Sequence, residues 1–154
     1  METKGNCSSS PLPRTGYAER NRLADTANSE PIWIRPAECI VIHDLLLVRY
    51  GGVSGLRDEA ALGAALAVPN QRFTAGCHSL AKLATAYLLA LTEQQPFQSG
   101  NIAIGFLIAI TFLRVNGRRF SGNEVCVADD TLNFVVGKCP EAFYTRFVYA
   151  HTCE

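Results

Sequence analysis

LAKLATAYLLALTEQQPFQSGNIAIGFLIAITFLRVNG, residues 80–117, reads as two helices joined by one short turn. In its first half Leu80, Leu83, Ala84, Tyr87, Leu88 and Leu91 recur at three- and four-residue steps behind Ser79, a good N-cap. In its second half the residues from Ile102 to Leu113 are apolar on every side. A helix of that kind belongs in the middle of a bundle, and it is expected over about 101–115, closed by the Asn116-Gly117 pair. Its apolar run is twelve residues long, whereas a membrane span needs about 20. The turn between the helices holds Pro96, Phe97, Gly100 and Asn101, but no histidine, carboxylate, lysine or arginine. It has the shape of a turn that feeds an anion-binding helix start and none of the charge.

Working outward, the rest of the chain is also helical in pattern. Pro36 suits a first helical turn, and Ala37, Ile40, Val41, Leu45 and Val48 mark an apolar face before Gly51-Gly52 ends the helix. Asp58 is placed to cap a second helix with Leu62, Ala65 and Leu66 on one side, stopped at Pro69. Two more helices are expected around Ala128–Val136 and from Pro140, in the first turn, to about His151, separated by Gly137. Ile32–Ile34 reads as a short extended segment. There is no internal repeat and little strand signal. The fold class is all-α: a compact bundle of about six helices around the buried helix at about 101–115.

Residues 1–30 are rich in Ser, Asn, Arg, Glu, Gly and Pro and carry too little apolar surface to offset their ordering entropy, so they read as a flexible polar extension to a domain at 31–154. They contain no apolar signal-peptide core, and the expected location is the cytoplasm. Fourteen basic and fourteen acidic residues cancel. A neutral chain gives no electrostatic case for nucleic acid or an anionic membrane, while a protein partner or self-association fits. The six cysteines form no CxxC pair and no ligand spacing with histidine, so no metal site is expected and the thiols read as reduced and structural.

Two stretches together resemble the death-on-curing (Doc) branch of the Fic/Doc, or Fido, superfamily. They are HDLLLVRYGGVSGLRDEAALGAALAVP (residues 43–69), with its glycines, the Arg57-Asp58 pair and Pro69 in register, and the stretch 80–117 quoted above. The resemblance implies a transferase that moves a phosphoryl or nucleotidyl group from a nucleotide to a protein hydroxyl, of the AMPylation or kinase type. It also implies toxin–antitoxin biology, with an antitoxin peptide as partner. The family loop runs His-Pro-Phe-x-Asp-(Gly/Ala)-Asn-(Lys/Gly)-Arg. Laid on this sequence, Pro96, Phe97, Gly100 and Asn101 match and are the candidate anion- or nucleotide-binding residues. The histidine position is Gln95, the magnesium carboxylate position Ser99, the lysine position Ile102 and the arginine position Ala103.

The replaced positions are those that would do the chemistry. An amide does not accept a proton near neutral pH, a serine is a poor ligand for a hard cation, and Ile102 and Ala103 cannot neutralise phosphate. Three readings follow. The chain is a degenerate Doc-like protein, inactive in the family reaction and acting as a binding or regulatory module, with no cofactor. Alternatively it is a transferase of altered chemistry, using ATP and Mg or a nucleotide sugar. Alternatively it is a toxin component that binds an antitoxin peptide. A plain structural reading stands beside all three: Phe97 is a core plug, Asn101 or Ser99 is an N-cap, and Gln95 is a loop residue.

The remaining candidates read as structural. His43 and Asp44 form a hydrogen-bonded pair on the first helix. His78 is exposed at a helix start, and His151 lies in the last turn of the final helix, where a cation suits the dipole. Arg114, Arg118 and Arg119 form a solvated face or meet an acidic peptide. A partial match to the inhibitory helix of some Fic proteins at Thr15–Glu19 breaks at Arg20 and is a chance one.

Overall fold

The computed structural model describes residues 29–153. The expected extension at 1–30, Cys7 and the Thr15–Glu19 match lie almost wholly or wholly outside them. Six helices follow in order: α1 (Pro36–Tyr50), α2 (Glu59–Thr74), α3 (Leu80–Gln94), α4 (Asn101–Val115), α5 (Glu124–Val135) and α6 (Glu141–Ala150). The all-α reading holds. The one addition is a pair of two-residue strands, β1 (Arg119–Phe120) and β2 (Thr152–Cys153), which run antiparallel and tie the end of the chain to the end of α4. Strands so short leave no alternating pattern to read.

The centre is the antiparallel pair α3–α4. Along α3 Leu83, Ala84, Tyr87, Leu88 and Leu91 are buried, and along α4 Ile104, Ile108, Phe112 and Leu113 meet them. Gly105 sets how close the two approach. A Cβ built there would lie 3.1 Å from the Leu88 carbonyl oxygen and 3.2 Å from its Cδ1. The absence of a side chain is therefore what lets the α4 backbone lie on the α3 backbone. Despite its all-round apolar sequence, α4 is half-covered: Ile102, Phe106, Leu107 and Ile110 are only partly buried, and α3 is the deeper of the two.

Asp58 caps α2 as expected, accepting from the Ala61 N–H at 3.0 Å. Pro69, however, does not stop that helix, which continues to Thr74. The ring is buried in the core, and the turn beyond it carries Phe73, packed edge-on against Trp33 at 5.6 Å. That packing offsets the backbone bond that proline cannot donate. α5 begins at Glu124, earlier than the expected Ala128, because the Asn123 side chain accepts from the Val125 and Cys126 N–H groups. Pro140 sits one place before α6, at its N-cap.

The face expected to be buried on α1 is turned outward. Val41, Leu45 and Val48 are 57%, 64% and 87% exposed, while Cys39 and His43 on the opposite side face the core. The Ile32–Ile34 segment ahead of α1 is extended, as expected. It is gripped by Asn116, whose Oδ1 accepts from Ile32 N–H and whose Nδ2 donates to Ile32 C=O. Trp33 then lies stacked at 5.9 Å on Phe112.

Two expectations follow. Gly105→Val should cost about 1–3 kcal/mol in urea denaturation, because the Leu88 backbone cannot give way to the added methyls. Burial also pushes Cys39, Tyr87 and Tyr144 up to about 12 from ordinary values of 9.0 for the thiol and 10.0 for the phenols. Each binds its proton more tightly when folded, so the stability it contributes is complete below pH 9 and is lost as pH rises towards 12. Denaturant midpoints measured at about pH 8 and about pH 11 should therefore fall at the higher value.

Candidate functional site

The turn joining α3 to α4 is built from backbone outward. Gln95 takes the left-handed conformation at the end of α3, with φ 45°, and its side chain is exposed. It is the solvated loop residue that the plain reading of the sequence expected. Pro96 and Phe97 then dive inward, and Phe97 is 2% exposed, the core plug expected of it. Gly100 turns the chain with φ 73° into the first residue of α4. A Cβ at Gly100 would come within 3.2 Å of Leu46 Cδ2, so both its conformation and its space call for glycine.

Asn101 and Ser99 are the corrections here, since neither caps α4. The Asn101 side chain reaches back to the backbone of one residue: Oδ1 accepts from Phe97 N–H and Nδ2 donates to Phe97 C=O, both at 3.0 Å. Ser99 does the same to another segment. Its Oγ accepts from Val53 N–H at 2.9 Å and donates to Val53 C=O at 3.0 Å. Both residues are short polar side chains whose reach suits a backbone in either direction, and the sequence does not say which.

Residues 53–58, between α1 and α2, form a strap over the turn. Arg57 and Asp58 both donate their backbone N–H to Pro96 C=O, at 2.7 and 3.1 Å, and Gln98 N–H donates to Gly55 C=O at 3.1 Å. Leu56 and Phe97 thereby form an antiparallel bridge. The Arg57 guanidinium donates to Gln94 C=O, at the end of α3. The register of Arg57-Asp58 in the sequence was the visible trace of this strap. Its bonding was not legible.

His43 is the residue that sequence reasoning placed wrongly. Its ring is 1% exposed and stacks on Phe97 with centroids 3.9 Å apart and planes 14° apart. Its Nε2 lies 3.0 Å from the Ser99 carbonyl, an acceptor only, so Nε2 carries the proton and donates. Nδ1 is 4.0 Å from Asp44 Oδ1, too far for the hydrogen bond expected between the two. The histidine belongs to the turn, not to its neighbour. The turn is thus held on three sides, by the strap, by α1 through His43 and by α4 through Asn101.

What can this arrangement do? The side chains of Ser99, Asn101 and His43 are engaged within the protein. Ile102 is half-buried and Ala103 exposed, and neither can offer a charge. Among the described residues no three histidines, cysteines or carboxylates gather to hold a metal ion. His78 is exposed at the start of α3 and packs edge-on to Phe73, and His151 bonds the Phe147 carbonyl at 2.9 Å through Nδ1. Both lie on elements other than the turn and its strap. Arg114, in the last turn of α4, and Arg119, just beyond it, are exposed.

No family model matches the chain. It is, however, 34% identical over 111 residues to the protein kinase doc of Escherichia phage P1, a match covering 68% of this chain and 83% of that one. The chain belongs to the Doc family. The all-α architecture agrees with that assignment, and the residues that shape the Doc-family turn are present as Pro96, Phe97, Gly100 and Asn101. Among the described residues no helix is long and apolar enough to cross a membrane. The five described cysteines are free thiols, with Cys39 buried.

The geometry makes Asn101 and Gln95 opposite cases. Asn101→Ala strips the Phe97 N–H and C=O of their partners and should cost about 1–3 kcal/mol. Gln95→Gly removes the steric cost of a side chain at positive φ and should be neutral or stabilise by up to about 1 kcal/mol. Thermal and urea unfolding of the two variants beside the parent checks both signs.

Proposed function

We propose that this member of the Doc family no longer performs a nucleotide-dependent transfer onto protein, and that it works in the cytoplasm as a protein-binding or regulatory module. The observation that carries the reading is Ser99. At the position where the family loop places its magnesium carboxylate stands a neutral hydroxyl whose proton and one of whose two lone pairs are spent on the Val53 backbone. A neutral oxygen so engaged does not fit a divalent cation, which takes charged or free carbonyl oxygens. Gln95, Ile102 and Ala103 add no proton acceptor and no positive charge. Magnesium and ATP therefore do not fit the residues present, and no catalytic step is derived through them. The ionisable group packed against the turn, His43, is buried with its Nε2 committed to Ser99 C=O, which keeps it from a substrate hydroxyl.

The same geometry accounts for why the turn keeps its form. Phe97, Gly100 and Asn101 serve the packing of α1, α3 and α4 whether or not a nucleotide ever binds. A binding module needs a rigid scaffold and no chemistry, and that is what these residues supply.

The test is label transfer. With α-labelled and γ-labelled ATP in separate reactions, magnesium and a cell extract, the purified parent should label no protein with either. Transfer by the parent that is lost in Asn101→Ala, with that variant still folded, would overturn the reading. A thermal shift of the parent with a nucleotide sugar would instead favour a transferase of altered donor. Restoration gives the positive arm. Gln95→His, Ser99→Asp, Ile102→Lys and Ala103→Arg together should bring growth arrest on expression where the parent brings none. Ser99→Asp gives up the donation to Val53 C=O, so the restored protein should also melt earlier than the parent.

A further inference from the structure

The apolar periodicity of α1 is unspent by the fold. Val41, Leu45 and Val48 follow one another at four and three residues, the spacing of a helix–helix seam. At 100° per residue they fall within about 60° of one another, roughly opposite Cys39 and His43, which face the core. All three are exposed. No other described element covers them. A stripe with the pattern of burial, left in solvent, marks an interaction surface.

From this we propose that α1 is a self-association surface, on which a second copy of the chain docks its own α1 antiparallel across a two-fold axis near Leu45. The charges flanking the stripe favour this occupant. A two-fold axis lays the same flank of both helices side by side with their ends reversed. Glu38, near the start of α1, and Arg49, near its end, share one flank. Glu38, which already pairs with Arg35 of its own chain, therefore comes beside Arg49 of the other copy, so that each of the two carboxylates lies between two guanidinium groups. The other flank carries Asp44 near the axis, which contributes one like-charge contact. Val41 and Val48, of equal size on either side of Leu45, make the stripe its own complement. The formal charge of the chain is zero, so no net repulsion keeps two copies apart. The proposal does not depend on whether the turn retains any chemistry.

Sedimentation velocity of the full chain from about 1 to about 100 µM tests it. The parent should pass from monomer to dimer across the series. Val48→Glu should remain monomeric at the highest concentration, because two charges would be buried without partners. Its melting at low concentration should match the parent's, because Val48 touches solvent in the monomer. Arg49→Glu should weaken the dimer about fivefold by setting like charges against Glu38, and Asp44→Asn should tighten it. A parent that stays monomeric throughout overturns the proposal. So does a dimer that survives Val48→Glu, which would place association on another face. A Val48→Glu variant whose circular dichroism shows it unfolded shifts the decision to Arg49→Glu and Asp44→Asn. Equal dimer constants for those two and the parent would then overturn it.

Discussion

Phe97 is the point at which four parts of this protein meet. Its ring fills the space under the turn and stacks on the imidazole of His43. Its backbone N–H and C=O are both bound by the Asn101 side chain, and its backbone bridges to Leu56 in the strap. Remove that ring and α1 loses the surface its histidine rests on, while the turn that the strap and Asn101 hold by its backbone loses its anchor in the core. The close approach of α3 and α4 at Gly105 depends on the same anchor, because it fixes where the α4 backbone begins its run beside Leu88. Burying a phenylalanine is worth roughly 1.5–3 kcal/mol in transfer free energy, but its larger role here is to fix geometry.

This separates two things that a sequence motif normally presents as one. On the reading proposed above, residues that shape and positions that would react alternate within nine positions, 95–103. Here the shaping residues have partners inside the fold: Phe97 in the core, Gly100 against Leu46, Asn101 on Phe97. The reacting positions have none, or have been redirected, as Ser99 has to Val53. Packing alone is enough to hold the first set in place. It places no demand on the second, which is free to become Gln, Ser, Ile and Ala.

How far the sequence disclosed this differs by residue and for physical reasons. The helices α3 and α4 and the turn between them were legible, because burial imposes a period that composition records. Asp58 as a cap was legible because its side chain has one local donor to meet. Asn101 and Ser99 were not, since a short polar side chain can satisfy its own helix or a distant backbone, and the choice depends on what lies across from it. His43 was misread through its neighbour in sequence, when its contacts are with residues 97 and 99. The outward face of α1 was misread for a related reason. Period shows that a stripe can be buried, but not which of two apolar sides of a short helix takes the core when Cys39, Ile42 and His43 compete with Val41, Leu45 and Val48. Pro69 within α2 shows the converse, a local stop signal overridden by Phe73 packing about one turn beyond the proline.

The grip of Asn116 on Ile32 has a consequence for everything upstream of it. That contact sits at the far end of α4 from Asn101, and a helix of 15 residues is about 22 Å long. Whatever precedes Ile32, whether native sequence, an affinity handle or a fluorescent fusion, is therefore tethered one helix-length away from the turn. At about 3.3 Å per extended residue, some seven residues are the least that can bring such an appendage back to Gln95. A label joined to the chain within seven residues of Ile32 therefore stays clear of the α3–α4 turn.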